Sequence, residues 1–286
     1  MLMLDRAMIR RFLPDQEWLS NLVAVWLLRQ GEPVGALLAI NKAGGEDFDD
    51  LDLQMLQVLA DRSSIYLEDL HILADLQELL IALLRSLVNS IDAMDPYTSG
   101  HSERVALVAR RIAERLGGDP GLCQRAYFGG LLHDIGKIAI PGSLLRKPSR
   151  LSPEEMELIR RHPASGARII ERIEVVRDIA PAVLGHHERI DGRGYPNGVG
   201  GEQIPLLARI VAVADCFDAM TSQRAYRGAK PMEQVKMELR RIAGTHLDAA
   251  VVDALLGLDL EQLHKELATY HSGLRTWPHH AETVCV

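Results

Sequence analysis

The chain has 286 residues, a length that suits two modest domains or one large one. Its formal net charge of −7 excludes bulk nucleic-acid binding through a basic face, so any phosphate ligand needs a local cluster of cations. Cys123, Cys216 and Cys285 stand in no paired spacing, which excludes a thiolate metal site and fits a reducing compartment. Aromatic residues are few, so Leu, Ile, Val and Ala must fill most of the core. The N-terminal stretch MLMLDRAMIRRFLP carries early charges and no long apolar run, which predicts no signal peptide. No stretch reaches the roughly 18 apolar residues of a membrane span. The expectation is a cytoplasmic protein with no membrane partner and no nucleic-acid polymer bound.

Two β-rich runs, Leu22 to Leu28 and Pro33 to Ile40, flank a turn at Arg29 to Glu32. A glycine-containing loop from Asn41 to Phe48 leads to Asp49 and Asp50, which offer an N-cap for a helix. This order, two strands and a loop ending in Phe48-Asp49-Asp50 before a long helix, resembles the last third of a GAF domain. The resemblance implies a small α/β sensor remnant over residues 1–70, without its ligand-pocket half. Two strands alone are marginally stable in water, so they are expected to pack on the helix, on a second chain, or on both.

From Asp50 the helical pattern runs to Asp95, where Pro96 stops it, a length of about 65 Å. Leu73, Leu76, Leu80, Leu83 and Leu87 fall at alternating steps of three and four, a heptad seam. It reads as a connecting helix over residues 50–95 that joins two chains in parallel. A core helix of one domain is the alternative. Beyond Pro96 the predicted elements are helices. They run from Ser102 to Leu116 with a stop at Gly117-Gly118, from Gln124 to Ile138, from Ser152, from Ala164 to Ile173 and from Asp178 to Glu188. A loop at Gly192 to Gly201 precedes helices at Leu206 to Ser222, Pro231 to Ala243 and Ala249 to Leu256. Residues 273–286, with His279 and His280, read as a loose solvated tail.

The chemistry centres on LLHDIGKIAIP, Leu131 to Pro141. His133 and Asp134 are adjacent in a mostly apolar run, and burying both is costly unless a cation receives them. Lys137 lies one helical turn on, near enough to hold an anion against that cation. His101, His162, His186, His187 and Asp215 each sit beside apolar or small residues at or near a helix end. Any one could be a satisfied core residue. Five histidines and two aspartates within about 115 residues are explained more simply by one polynuclear metal site built from several helices. An all-N/O ligand set favours iron, manganese, nickel or zinc.

HDIGK followed by HHERIDGRGYP resembles the HD-GYP family, a branch of the HD phosphohydrolase superfamily, over residues 80–272. The resemblance implies a mainly α fold, an HD-domain helical bundle, preceded by the GAF-like remnant and the connecting helix. It implies a phosphodiesterase that hydrolyses cyclic di-GMP to pGpG, and on to GMP in some cases, through a hydroxide bridging divalent ions, iron or manganese first. The implied ligands are His101, His133, Asp134, His162, His186, His187 and Asp215, with Asp134 bridging and catalytic. Lys137 is the implied catalytic phosphate contact, and Tyr195, Arg224 and Arg227 are implied substrate contacts. Lys230 reads as solvated. The loop Gly194-Tyr195-Pro196 is expected to shape the substrate mouth and to meet partner proteins. Asp218 is read as orienting a ligand histidine, Glu188 as either supporting or structural, and Asp191 as a structural anchor. Some family members place a Glu four residues before the first histidine and bind a third ion; Tyr97 stands there, so two ions are expected. The alternatives are a catalytically silent scaffold or receptor, and a hydrolase of another cyclic dinucleotide.

Overall fold

The computed structural model describes residues 2–13, 15–93, 100–147, 149–222 and 230–271, with side chains to 267. Arg224, Arg227, Tyr97, Cys285, His279 and His280 lie outside the described residues. The chain divides between Ala82 and Leu83 into two compact units.

The first unit carries an antiparallel sheet in the order β1 (Leu2–Leu4), β2 (Leu22–Arg29), β3 (Glu32–Ile40), with helix α1 (Arg6–Phe12) between the first two strands. The sequence patterns predict β2 and β3 but not β1, which is three residues long and exists by pairing Leu2 with Ala24 and Leu4 with Leu22. The β2–β3 hairpin turns at Gln30 and Gly31, both with positive φ, as a tight two-residue turn demands. Val23 and Val25 alternate inward along β2 and pack on Leu56 and Ala60 of helix α2 (Asp50–Asp92), a small core of their own. The helix begins where its cap signal predicts, and Asp49 accepts from the Leu51 and Asp52 amides.

The second unit is helical. Its elements are the end of α2, then α3 (His101–Arg115), α4 (Pro120–Leu132), α5 (Gly142–Leu145), α6 (Pro153–Ile159) and α7 (His162–Ile170). After these come α8 (Ala180–Gly185), α9 (Leu206–Thr221), α10 (Met232–Ile242), α11 (Ala249–Leu256) and α12 (Leu260–His271). The last turns of α2 bury Leu84, Val88 and Ile91, while Leu83 and Leu87 stay exposed on another face of the same helix. α3 and α4 approach backbone to backbone. A Cβ on Gly130 would lie 2.7 Å from the Ala106 Cα, so only glycine permits that contact. Leu131 and Leu132 are fully buried beside it, each contributing about 1.5–3 kcal/mol relative to exposure.

Three helices differ in their bounds from the sequence expectation. α4 starts at Pro120 behind the Asp119 cap, whose carboxylate accepts from the Leu122 amide at 2.6 Å. It ends at Leu132, and a separate 3-10 turn over Ile135–Ala139 follows, so the predicted helix from Gln124 to Ile138 is broken at His133 and Asp134. The helix expected at Ala164 starts two residues earlier, with Pro163 in its first turn. The helix expected from Asp178 to Glu188 is a 3-10 turn, Glu174–Ile179, followed by the short α8 with Pro181 in its first turn. α12 has no counterpart in the sequence reading. Among the described residues no helix is long and apolar enough to cross a membrane.

Candidate metal centre

Four of the five histidines of the centre stand at a helix boundary. His133 and His186 follow the last residues of α4 and α8, and His101 and His162 open α3 and α7. At these positions a ring can reach the carbonyl three residues back. His133 Nδ1 meets the Gly130 carbonyl at 2.7 Å, His162 Nδ1 the Ile159 carbonyl at 2.8 Å, and His186 Nδ1 the Val183 carbonyl at 2.8 Å. A carbonyl only accepts, so each Nδ1 carries a proton and Nε2 is the nitrogen that each ring turns inward.

Those Nε2 atoms converge. His162 Nε2 and His186 Nε2 stand 3.3 Å apart, with Asp134 Oδ1 3.1 Å from the former. His133 Nε2 is buried without a hydrogen-bond partner among the described residues, although Asp134 Oδ2 lies 3.3 Å away. An orphaned buried nitrogen is unfavourable alone, and a cation among these donors removes the penalty. The donor atoms of Asp134, His162, His186 and His187 lie within 4.8 Å of one another, and those of His101, His133 and Asp215 do likewise. The structure therefore brings all seven nominated ligands into two adjoining groups.

The electrostatics suit a cation. Burial alone would raise the Asp134 carboxyl, but the charges of Lys137 and His133 outweigh it and hold Asp134 well below the usual carboxylate range. Asp215 is likewise held low despite its burial, first by its hydrogen bond to His101. Burial pushes His186 well down and His187 down to about 4, keeping both rings neutral and able to donate a lone pair. His101 is different. Burial opposes its charge, but its bonds to Asp215 and Asp218 lift it to about 10. An ion at its Nε2 would take the proton's place between it and Asp215, 3.3 Å away.

The flanking residues follow. Asp218 Oδ2 meets His101 Nδ1 at 2.7 Å, which fixes the ring with Nε2 toward Asp215. Replacing it, Asp218→Asn, should weaken manganese binding by about 10- to 100-fold, read by competition with a chelator. Lys137 Nζ lies 2.6 Å from Asp134 Oδ2. The Tyr195 ring lies 4.7 Å from the His187 ring. Glu188 Oε1 accepts from the Asn197 amide at 2.7 Å, so it holds the loop that presents Tyr195; its buried Oε2 has no hydrogen-bond partner among the described residues. Asp191 pairs with Arg189 and accepts from the Arg193 amide, outside both ligand groups.

Three supporting residues were not singled out from the sequence. Arg104 forks onto Asp218, Nε to Oδ1 at 2.6 Å and Nη2 to Oδ2 at 3.1 Å. Its place three residues after His101, on the same helix face, is the signal that could have found it. Asp92, at the end of α2, accepts from the Ser102 hydroxyl at 2.9 Å and amide at 3.2 Å, capping α3 from another helix. Arg160 lies over the Tyr195 ring. Neither of these two has a local sequence signature.

A family model described as HD domain matches residues 85–251 of this chain. The chain belongs to the HD-domain family. The HD domain and its His/Asp cluster together mark a divalent metal site. A cyclic di-GMP phosphodiesterase of Thermotoga maritima is 39% identical over 207 residues, covering 70% of this chain and 56% of the relative. A 3'3'-cGAMP-specific phosphodiesterase of Vibrio cholerae is 33% identical over 216 residues, 74% of this chain and 41% of the relative. A cyclic di-GMP phosphodiesterase of Pseudomonas aeruginosa is 46% identical over 145 residues, 50% of this chain and 35% of the relative. The chain thus spans about half the length of the curated relatives it matches.

Proposed function

We propose that this HD domain is a metal-dependent phosphodiesterase that hydrolyses cyclic di-GMP to linear pGpG. The observation that carries the reading is the convergence of histidine Nε2 atoms on Asp134 in two ligand groups. Two groups support two ions, iron or manganese first, with Asp134 between them. His162, His186 and His187 would hold one ion, and His101, His133 and Asp215 the other. When bound, such ions supply Lewis acidity to coordinated water and to phosphoryl oxygens. Lys137, already against Asp134, adds a positive charge where a phosphoryl oxygen gains negative charge. Tyr195 offers its ring beside His187 to a base or sugar at the mouth. The names of the relatives support the substrate class.

The test is protein loaded anaerobically with iron or with manganese, given cyclic di-GMP, with products separated by chromatography. Accumulation of pGpG supports the reading; bound metal with intact substrate favours a silent scaffold. The similarity to a 3'3'-cGAMP-specific enzyme favours one second reading, another cyclic dinucleotide, and a substrate panel separates the two.

The first unit and α2 form a regulatory input in this reading, and α2 joins two copies. Leu73, Leu76, Leu80, Leu83 and Leu87 are 37–60% exposed along one heptad seam. Leu76→Glu should convert a dimer to a monomer in light scattering while leaving the HD domain folded.

A further inference from the structure

Resting on the cyclic dinucleotide reading, we propose that Arg160 is a specificity residue that binds the phosphodiester not being cleaved. It would favour substrates with two phosphates over simple diesters.

Arg160 closes α6, two residues before the ligand His162. Its guanidinium carbon stands 5.6 Å from the Tyr195 ring centroid. That ring in turn lies 4.7 Å from the His187 ring, at an interplanar angle of 31°. His187 belongs to the ligand group of Asp134, so Arg160 is two ring contacts away from the metal centre. The side chain is exposed and pairs with no carboxylate among the described residues. Cation–π contact orients a guanidinium without neutralising it, so its donors remain available to an anion.

The centre itself explains why such a cation is useful. Lys137 is engaged with Asp134, and Arg104 is committed to Asp218. A cyclic dinucleotide whose scissile phosphate sits at the ions holds its other phosphate away from them, and among the described residues Arg160, resting on the Tyr195 ring, is placed to receive it. Arginine suits the task because its planar fork takes two phosphate oxygens at once while its face rests on the ring.

The test uses the full chain loaded with manganese and two substrates: cyclic di-GMP, with two phosphodiesters, and bis(p-nitrophenyl) phosphate, with one. Arg160→Ala should raise KM for cyclic di-GMP about tenfold with kcat within about threefold. It should leave kcat/KM for the aryl diester, the metal content and the melting temperature unchanged. Arg160→Lys should recover part of the loss, since it keeps the charge and loses the fork. An unchanged KM for cyclic di-GMP in Arg160→Ala overturns the inference alone. Equal losses on both substrates also overturn it, assigning Arg160 to holding Tyr195 and His187 in place. A wild-type protein that cleaves the aryl diester but neither binds nor cleaves any cyclic dinucleotide overturns the functional reading, and the inference with it.

Discussion

Asp134→Ala is expected to abolish turnover, by at least about a thousandfold, and to lower the metal content of the purified protein. The carboxylate is buried, and both its oxygens are in use. Oδ1 stands 3.1 Å from His162 Nε2 in one ligand group, and Oδ2 stands 3.3 Å from His133 Nε2 in the other. A carboxylate so placed can span two ions about 3.5–4 Å apart. Its loss also removes the negative charge that Lys137 Nζ meets at 2.6 Å, so the positive charge of that ammonium weighs more against an incoming cation. Asp134→Asn separates shape from charge: it should keep the fold and still lose the metal. The measurements are metal per chain by mass spectrometry and turnover of cyclic di-GMP. Activity within tenfold of wild type, with full metal content, would rule out the bridging role.

Gly136→Ala is expected to cost about 3 kcal/mol of stability, together with metal affinity. Gly136 lies in the 3-10 turn between Asp134 and Lys137, and a Cβ there would stand 1.9 Å from the His162 carbonyl oxygen and 2.5 Å from the Gly166 nitrogen. Both obstacles are backbone atoms of α7, so no side-chain rotation relieves the clash. The turn and the helix must separate, and that separation carries Asp134 away from His162. For a domain of this size the melting temperature should fall by about 6–12 °C. Chelator competition should show weaker metal binding at temperatures where the variant remains folded. A variant with wild-type melting and wild-type metal affinity would show that the turn does not depend on this contact.

The two substitutions divide what was legible from what was not. The residue types at Asp134 and Asp215 announce themselves because a charged or metal-binding side chain in an apolar run has few stable uses. Helix starts were also legible where a cap or proline marks them: Asp49 and Ser152 read correctly, and the capping box of Ser152 with Glu155 is present. The starts at Asp119-Pro120 and His162-Pro163 carried the same kind of signal and were placed a few residues late. The break at His133 and Asp134 had no such marker. The sequence reads as continuous helix through Ile138, whereas Gly136 in fact lies in a separate turn packed on the α7 backbone, a contact between residues 26 or more apart in the chain. β1 is similar, since three residues without an alternating pattern become a strand only by pairing with β2.

By itself, then, the amino-acid order determined a helical chain, a hairpin before a long amphipathic helix, and an inventory of nitrogen and oxygen ligands suited to divalent ions. These are matters of periodicity and side-chain chemistry, which act over a few residues. Only the tertiary structure decided that His133, His162 and His186 each donate Nδ1–H to a carbonyl three residues back, that Arg104 braces Asp218, and that Arg160 rests on Tyr195. The reason is physical: a ring nitrogen becomes a ligand through the direction in which its lone pair points. That direction is set by helix ends meeting across the core.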